Sequence, residues 1–193
     1  MTPSQYIERI ERQINDWHIP LSKGSLILKK GLASMREFKL KAEDVPFVIK
    51  LVENPKYDIG LFAGNVSLYN HDCIHLLLGR GLRLKDEAFV IGYTMGSTKK
   101  MWRWRRNLYM FCAKHLFPEG YSFGEEERFV FNMGVKAGDN CPSDLSEVDF
   151  KKLENKKLKT IRDELGVDRD LLKSLYEIER KYFPHSGESR RLL

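Results

Sequence analysis

The sequence predicts an all-α protein, a single-domain multi-helix bundle of roughly seven or eight helices. Apolar residues recur at steps of three and four along most of the chain. Cap residues, prolines and glycines punctuate those periodic stretches at helix-like intervals. No stretch of useful length alternates apolar and polar residues, and no internal repeat is visible.

Thr2-Pro3 places a cap residue before a proline at the first helical position, and Ile7, Ile10, Ile14 and Trp17 then form one amphipathic face that His18-Ile19-Pro20 ends. Residues 21–42 read equally as helix or extended chain. Phe47, Val48, Leu51 and Val52 predict a short helix stopping at Asn54-Pro55. A helix through 67–78 ends at Gly79-Arg80-Gly81, and the next runs from about Lys85-Asp86 to Met95, with Gly96 as its stop. Gly92 and Gly96, four apart, predict close helix packing. A basic aromatic helix covers about 98–117, and an aromatic and acidic segment follows as far as Gly138. Leu153, Leu158, Ile161 and Leu165 mark one further helix, and Leu171, Leu172, Leu175 and Ile178 another, separated by Gly166 and closed by Pro184. The expected division is a helical domain over 1–184 and a flexible tail over 185–193, whose HSGESRRLL lacks any burial pattern.

A length of 193 residues and 42% hydrophobic content allow a sizeable core and exclude disordered and low-complexity classes. A mean hydropathy of −0.45, with no apolar run near the bilayer-spanning length, excludes an integral membrane protein. The opening MTPSQYIERIER mixes acids and bases, unlike a secretory or transit segment. Cys73, Cys112 and Cys141 form no CxxC pair and are odd in number, which fits a reducing, cytoplasmic setting. The net charge of +6 is modest but clustered, and predicts an anionic partner.

His71 and His75 stand four apart, so a helix puts both imidazoles on one face, the spacing that lets two neutral rings share a metal. Asp72, three before His75, can supply a further ligand or orient that imidazole. Glu87, in the first turn of the next helix, can fold back toward His75. Two histidines with one or two carboxylates leave open positions on a metal, a catalytic rather than a structural arrangement. The competing reading is a chance pair of hydrogen-bonded core histidines. His18, His115 and His185 read as incidental, and Cys73 points away from the histidine face.

The run HDCIHLLLG followed by Glu87 reads His-Asp-x-x-His, residues 76–86, then Glu. That pattern resembles the metal-ligand motif of the ubiquinone (coenzyme Q) biosynthesis family known as Coq-four, as in a divergent bacterial member. FVFNMGVKAGDN and LENKKLKTIRDELGV are similar to later segments of the family, so the resemblance spans about residues 65–167. The family's Pro-Gly-Phe-Gly type turn is missing before the motif, and residues 168–193 run past the family's usual end. The resemblance implies an all-α protein, peripheral on the inner face of the cell membrane, acting in prenyl-quinone biosynthesis. It implies a divalent metal (zinc first, with iron or manganese as alternatives) on His71, Asp72, His75 and Glu87, the residues that would also carry catalysis. It implies a prenylated aromatic ligand, C1 decarboxylation with hydroxylation as the enzymatic step, and other quinone-biosynthesis enzymes as partners; an oligomer is compatible. The alternatives are a non-catalytic prenyl-lipid scaffold and a His-Asp type metal-dependent phosphohydrolase. The latter needs an upstream histidine, for which only His18 is present.

In KKMWRWRR, Lys99, Lys100, Arg103, Arg105 and Arg106 surround Trp102 and Trp104, and Met101, Trp104, Leu108, Phe111 and Cys112 share a helical face. An anionic lipid or ligand is the expected partner of these cations. Nucleic acid is the lesser reading. An ordinary amphipathic helix with a solvated basic face would look the same.

Overall fold

The computed structural model describes residues 17–35, 66–100, 102–115 and 122–193. The expected helix over 2–17 except Trp17, the expected helix over 47–52, residue Met101 and the side chain of Arg103 lie outside the described residues. Within them the chain forms eight α-helices: α1 (Leu28–Met35), α2 (Leu68–Leu78), α3 (Leu84–Ser97), α4 (Arg103–His115), α5 (Glu125–Asn140), α6 (Leu158–Leu165), α7 (Arg169–Tyr182) and α8 (Gly187–Arg190). Two 3-10 turns, Leu145–Glu147 and Phe150–Leu153, join α5 to α6, so Leu153 stands in a turn of its own rather than on α6. Among the described residues there is no strand, only an isolated antiparallel bridge between Ile27 and Lys157 that ties the starts of α1 and α6 together.

Glycine pairs produce the closest helix contact. Gly92 and Gly96 on α3 face Gly134 and Gly138 on α5, each pair one turn apart. A Cβ at Gly134 would lie 2.5 Å from the Phe89 carbonyl oxygen, and Cβ atoms at the other three would run into backbone carbonyls of the facing helix. The two backbones therefore touch, as in small-residue helix pairs. Gly96 lies within α3, which continues to Ser97. One face of α3 (Phe89, Val90, Tyr93) joins the main apolar core, and the other (Ala88, Ile91, Met95) joins a second core with Tyr109, Phe123 and Phe131. From Lys85 to Ser97 every residue is buried except Glu87.

The C-terminal end of α2 is held by side chains from distant elements. Gly79 takes the left-handed conformation (φ 67°) that a side chain would strain, and so ends the helix. The carbonyls this leaves without helical partners must be satisfied, because they are buried. Arg162 donates to Leu77 O at 2.7 Å and Leu76 O at 3.2 Å, Tyr176 Oη to Leu78 O at 2.5 Å, and His18 Nε2 to Gly79 O at 3.0 Å. Arg80, next in the chain, is fully buried and forks onto Glu179 of α7 at 2.6 and 3.2 Å between the rings of Phe89 and Tyr176. His18, expected to be incidental, thus has a structural place.

Residues 185–193, which show no burial pattern in the sequence, carry α8 and pack against the rest of the chain. Ser186 caps α8 through its hydroxyl, Ser189 Oγ donates to Glu179 Oε1 at 2.9 Å, and Leu192 is fully buried in the main core. A four-residue helix is too short to show periodicity, so its burial depends on partners far away in sequence.

Candidate metal centre

Ser67 opens α2, its hydroxyl accepting from the Asn70 amide, and the helix is buried from Asp72 to Leu78. His71 and His75 therefore project from one face, one turn apart, with ring centroids 4.7 Å apart. The break at Gly79 and the Arg80–Arg83 connection reverse the chain into α3. Asp86 Oδ2 accepts from the Arg83 amide at 3.3 Å, and this start of α3 turns Glu87 back toward α2.

The three side chains converge. Glu87 Oε2 lies 2.9 Å from His71 Nε2, Glu87 Oε1 3.3 Å from His75 Nε2, and the two Nε2 atoms are 3.0 Å apart. His75 Nδ1 donates to Gly81 O at 2.7 Å. A carbonyl only accepts, so Nδ1 carries a proton, and the ring, once neutral as a metal ligand must be, would present its Nε2 lone pair to an ion in the cluster. Burial alone would push the Glu87 carboxyl up, but the His75 and His71 imidazoles and their hydrogen bonds hold it well below the usual carboxylate range. Two imidazole nitrogens and an ionised carboxylate match the donor set of zinc, iron or manganese sites, and three protein ligands leave a coordination position open. His75 has no exposed side-chain surface, whereas His71 is 18% and Glu87 30% exposed, so the cluster opens to solvent on the His71–Glu87 side.

Asp72 is buried beside the cluster but does not converge with it. Among the described residues the group able to share an ion is His71, His75 and Glu87. Asp72 follows His71 by one residue, about 100° further round the helix, so its carboxylate leaves from another face. The orienting role expected of it falls to the Gly81 carbonyl. Asp72 stands outside the cluster, and His18 is engaged with Gly79 O.

The basic segment divides in two. Lys99 lies in the turn after α3 with φ 58°, and its ammonium donates to Cys141 O at 2.7 Å, to Gly138 O at 3.5 Å and to Asp139 O. It closes the C-terminal end of α5 and is not offered to a ligand. Lys100 is exposed in the same turn, Arg103 begins α4, and Arg105 stacks on Trp104 at 5.3 Å. Arg106 is half-buried on α4. The buried face of α4 is Tyr109, Cys112 and Ala113, with Tyr109 stacked on Phe131 at 5.1 Å. Of the expected apolar stripe, Cys112 is buried and Leu108 packs against the second core, whereas Trp104 and Phe111 face solvent; Trp102, Trp104 and Phe111 are 68%, 51% and 57% exposed. Periodicity identified the helix, but its contact with α5 chose the inward face.

No protein-family model, curated protein or solved structure matches the chain. No helix among the described residues is long and apolar enough to cross a membrane.

Proposed function

We propose that this protein holds one divalent metal on His71, His75 and Glu87 and serves prenyl-quinone biosynthesis, acting on a prenylated aromatic intermediate at a membrane face. One observation carries the reading: the spacing shared with the Coq-four family brings two Nε2 atoms and a carboxylate within 4.8 Å of one another. A metal bound there supplies a Lewis acid able to polarise a substrate carboxylate or phenolate oxygen. Gly81 O keeps His75 in the tautomer that presents Nε2, and Glu87 contributes a full negative charge to the site. His71 and Glu87 stand at the open side, where a ring substituent approaches. The exposed Trp102, Trp104 and Phe111, with Lys100 and Arg105 among them, support contact with anionic headgroups, since indole rings favour that depth and cations meet the lipid charge.

The test has two arms. Protein purified without an affinity tag is expected to carry close to one equivalent of metal, lost in His75→Ala while the fold persists. In a host lacking the corresponding quinone-pathway step, the wild-type chain is expected to restore quinone, measured by mass spectrometry, and His71→Ala is not. Rescue by both would leave only a scaffold role. A wild-type protein that stays metal-free after reconstitution with zinc, iron and manganese overturns the reading.

A further inference from the structure

We infer that Arg191, just after α8, is a positioning residue for the ligand cluster, holding His75 and Glu87 in register through one guanidinium; the metal-affinity part of this inference rests on the reading above. The connection between α2 and α3 bears both determinants of the cluster's geometry. Gly81 supplies the carbonyl that orients His75, and Asp86, next to Glu87, ties the start of α3 to the Arg83 amide. Arg191 engages both. Its Nη2 donates to Asp86 Oδ2, and the same atom lies so close over Gly81 that a Cβ there would collide with it. Trp17 O lies 2.7 Å from where that Cβ would stand, so the guanidinium and this carbonyl together fill the space on that face of Gly81.

The clamp is itself anchored. Ser186 Oγ caps α8, Ser189 Oγ donates to Glu179 Oε1, and Leu192 is fully buried in the main core. Glu179 also takes the fork of Arg80, whose Nη1 lies 3.8 Å from Asp86 Oδ1. Arg80, Asp86, Glu179 and Arg191 thus form a charge-balanced group beneath the connection. Arg191 is the member whose side chain is partly exposed, at 18%. Replacing it by alanine leaves Leu192 and Ser189 to hold the tail, while Gly81 and Asp86 lose their common tie.

The metal-free full chain, labelled with 15N-histidine, tests this directly. In wild type, His75 is expected as the Nδ1–H tautomer with a slowly exchanging imidazole proton. Arg191→Ala is expected to speed that exchange by about tenfold or more, as local opening does. Arg191→Lys, which keeps the charge but not the planar guanidinium, is expected to fall between. Leu145→Ala, a buried core residue outside the tail, compared at a temperature giving the same fraction unfolded as Arg191→Ala, is expected to keep the wild-type tautomer and rate. In a second arm, Co2+ titration read by visible absorption is expected to show affinity about 10–100-fold weaker for Arg191→Ala, the range for residues that orient ligands. Wild-type exchange in Arg191→Ala, or equal acceleration in Leu145→Ala, overturns the inference. If Arg191→Ala does not fold, unchanged exchange in Arg191→Lys overturns it. A wild type that takes up no Co2+ while its His75 exchange still responds to Arg191 refutes the metal reading and leaves the positioning role standing.

Discussion

His75 donates its Nδ1–H to the Gly81 carbonyl oxygen at 2.7 Å, across the break that separates α2 from α3. One peptide group thereby decides which nitrogen of a fully buried ring faces the cluster. It also fixes the connection that delivers Glu87 from the next helix, so ligand orientation and chain reversal depend on the same hydrogen bond.

Glu87→Gln keeps the shape of the third ligand and removes its charge. Metal occupancy after dialysis, measured by elemental analysis, is expected to fall by more than the roughly 10–100-fold that outer-shell changes cost. Asp72→Asn is expected to stay near wild type, because its carboxylate is outside the converging group.

Glu179→Ala leaves the Arg80 guanidinium buried without its fork. Removing one member of such a pair typically costs about 3–5 kcal/mol, read here as a lower urea midpoint. Arg80→Met combined with Glu179→Leu is expected to cost less than Glu179→Ala alone, since no charge is then stranded.

Gly138→Ala puts a methyl group against the Tyr93 carbonyl oxygen, where backbone meets backbone and neither side can rotate away. Overpacking of this kind costs about 1–3 kcal/mol, which outweighs the roughly 1 kcal/mol that alanine gains over glycine in a helix. The thermal midpoint is expected to drop, and to drop further when Gly96→Ala is added.

Burial holds the His18 pKa below its ordinary value of 6.5, against the opposing pull of its Gly79 hydrogen bond. Below about pH 6.5 the unfolded chain therefore takes up a proton at His18 before the folded chain does, and stability falls with pH in that window. His18→Gln, which keeps an amide donor for Gly79 O, is expected to lose less stability than wild type between pH 7 and pH 5 in urea titrations.

Binding to anionic vesicles is expected to weaken as salt is added, since exposed charges are screened over about 8 Å at physiological ionic strength. Trp104→Ser with Arg105→Glu is expected to reduce sedimentation with those vesicles while leaving the thermal midpoint unchanged. Equal sedimentation with neutral vesicles would assign the contact to the aromatic side chains alone.

The all-α class, the break at Gly79, the separation at Gly166 and the His71–His75–Glu87 spacing were determined by the sequence itself. Each depends on local geometry: 3.6 residues per turn places positions four apart on one face, and a left-handed residue stops a helix whatever surrounds it. Tertiary structure alone decided that Gly81 rather than Asp72 orients His75. It also decided that Tyr109 rather than Trp104 faces inward, that Lys99 closes α5, and that Leu192 is core. These outcomes depend on which backbone groups and apolar surfaces meet once helices pack. Arg191 reaches Asp86 across 105 residues of sequence, a separation over which no periodicity carries information.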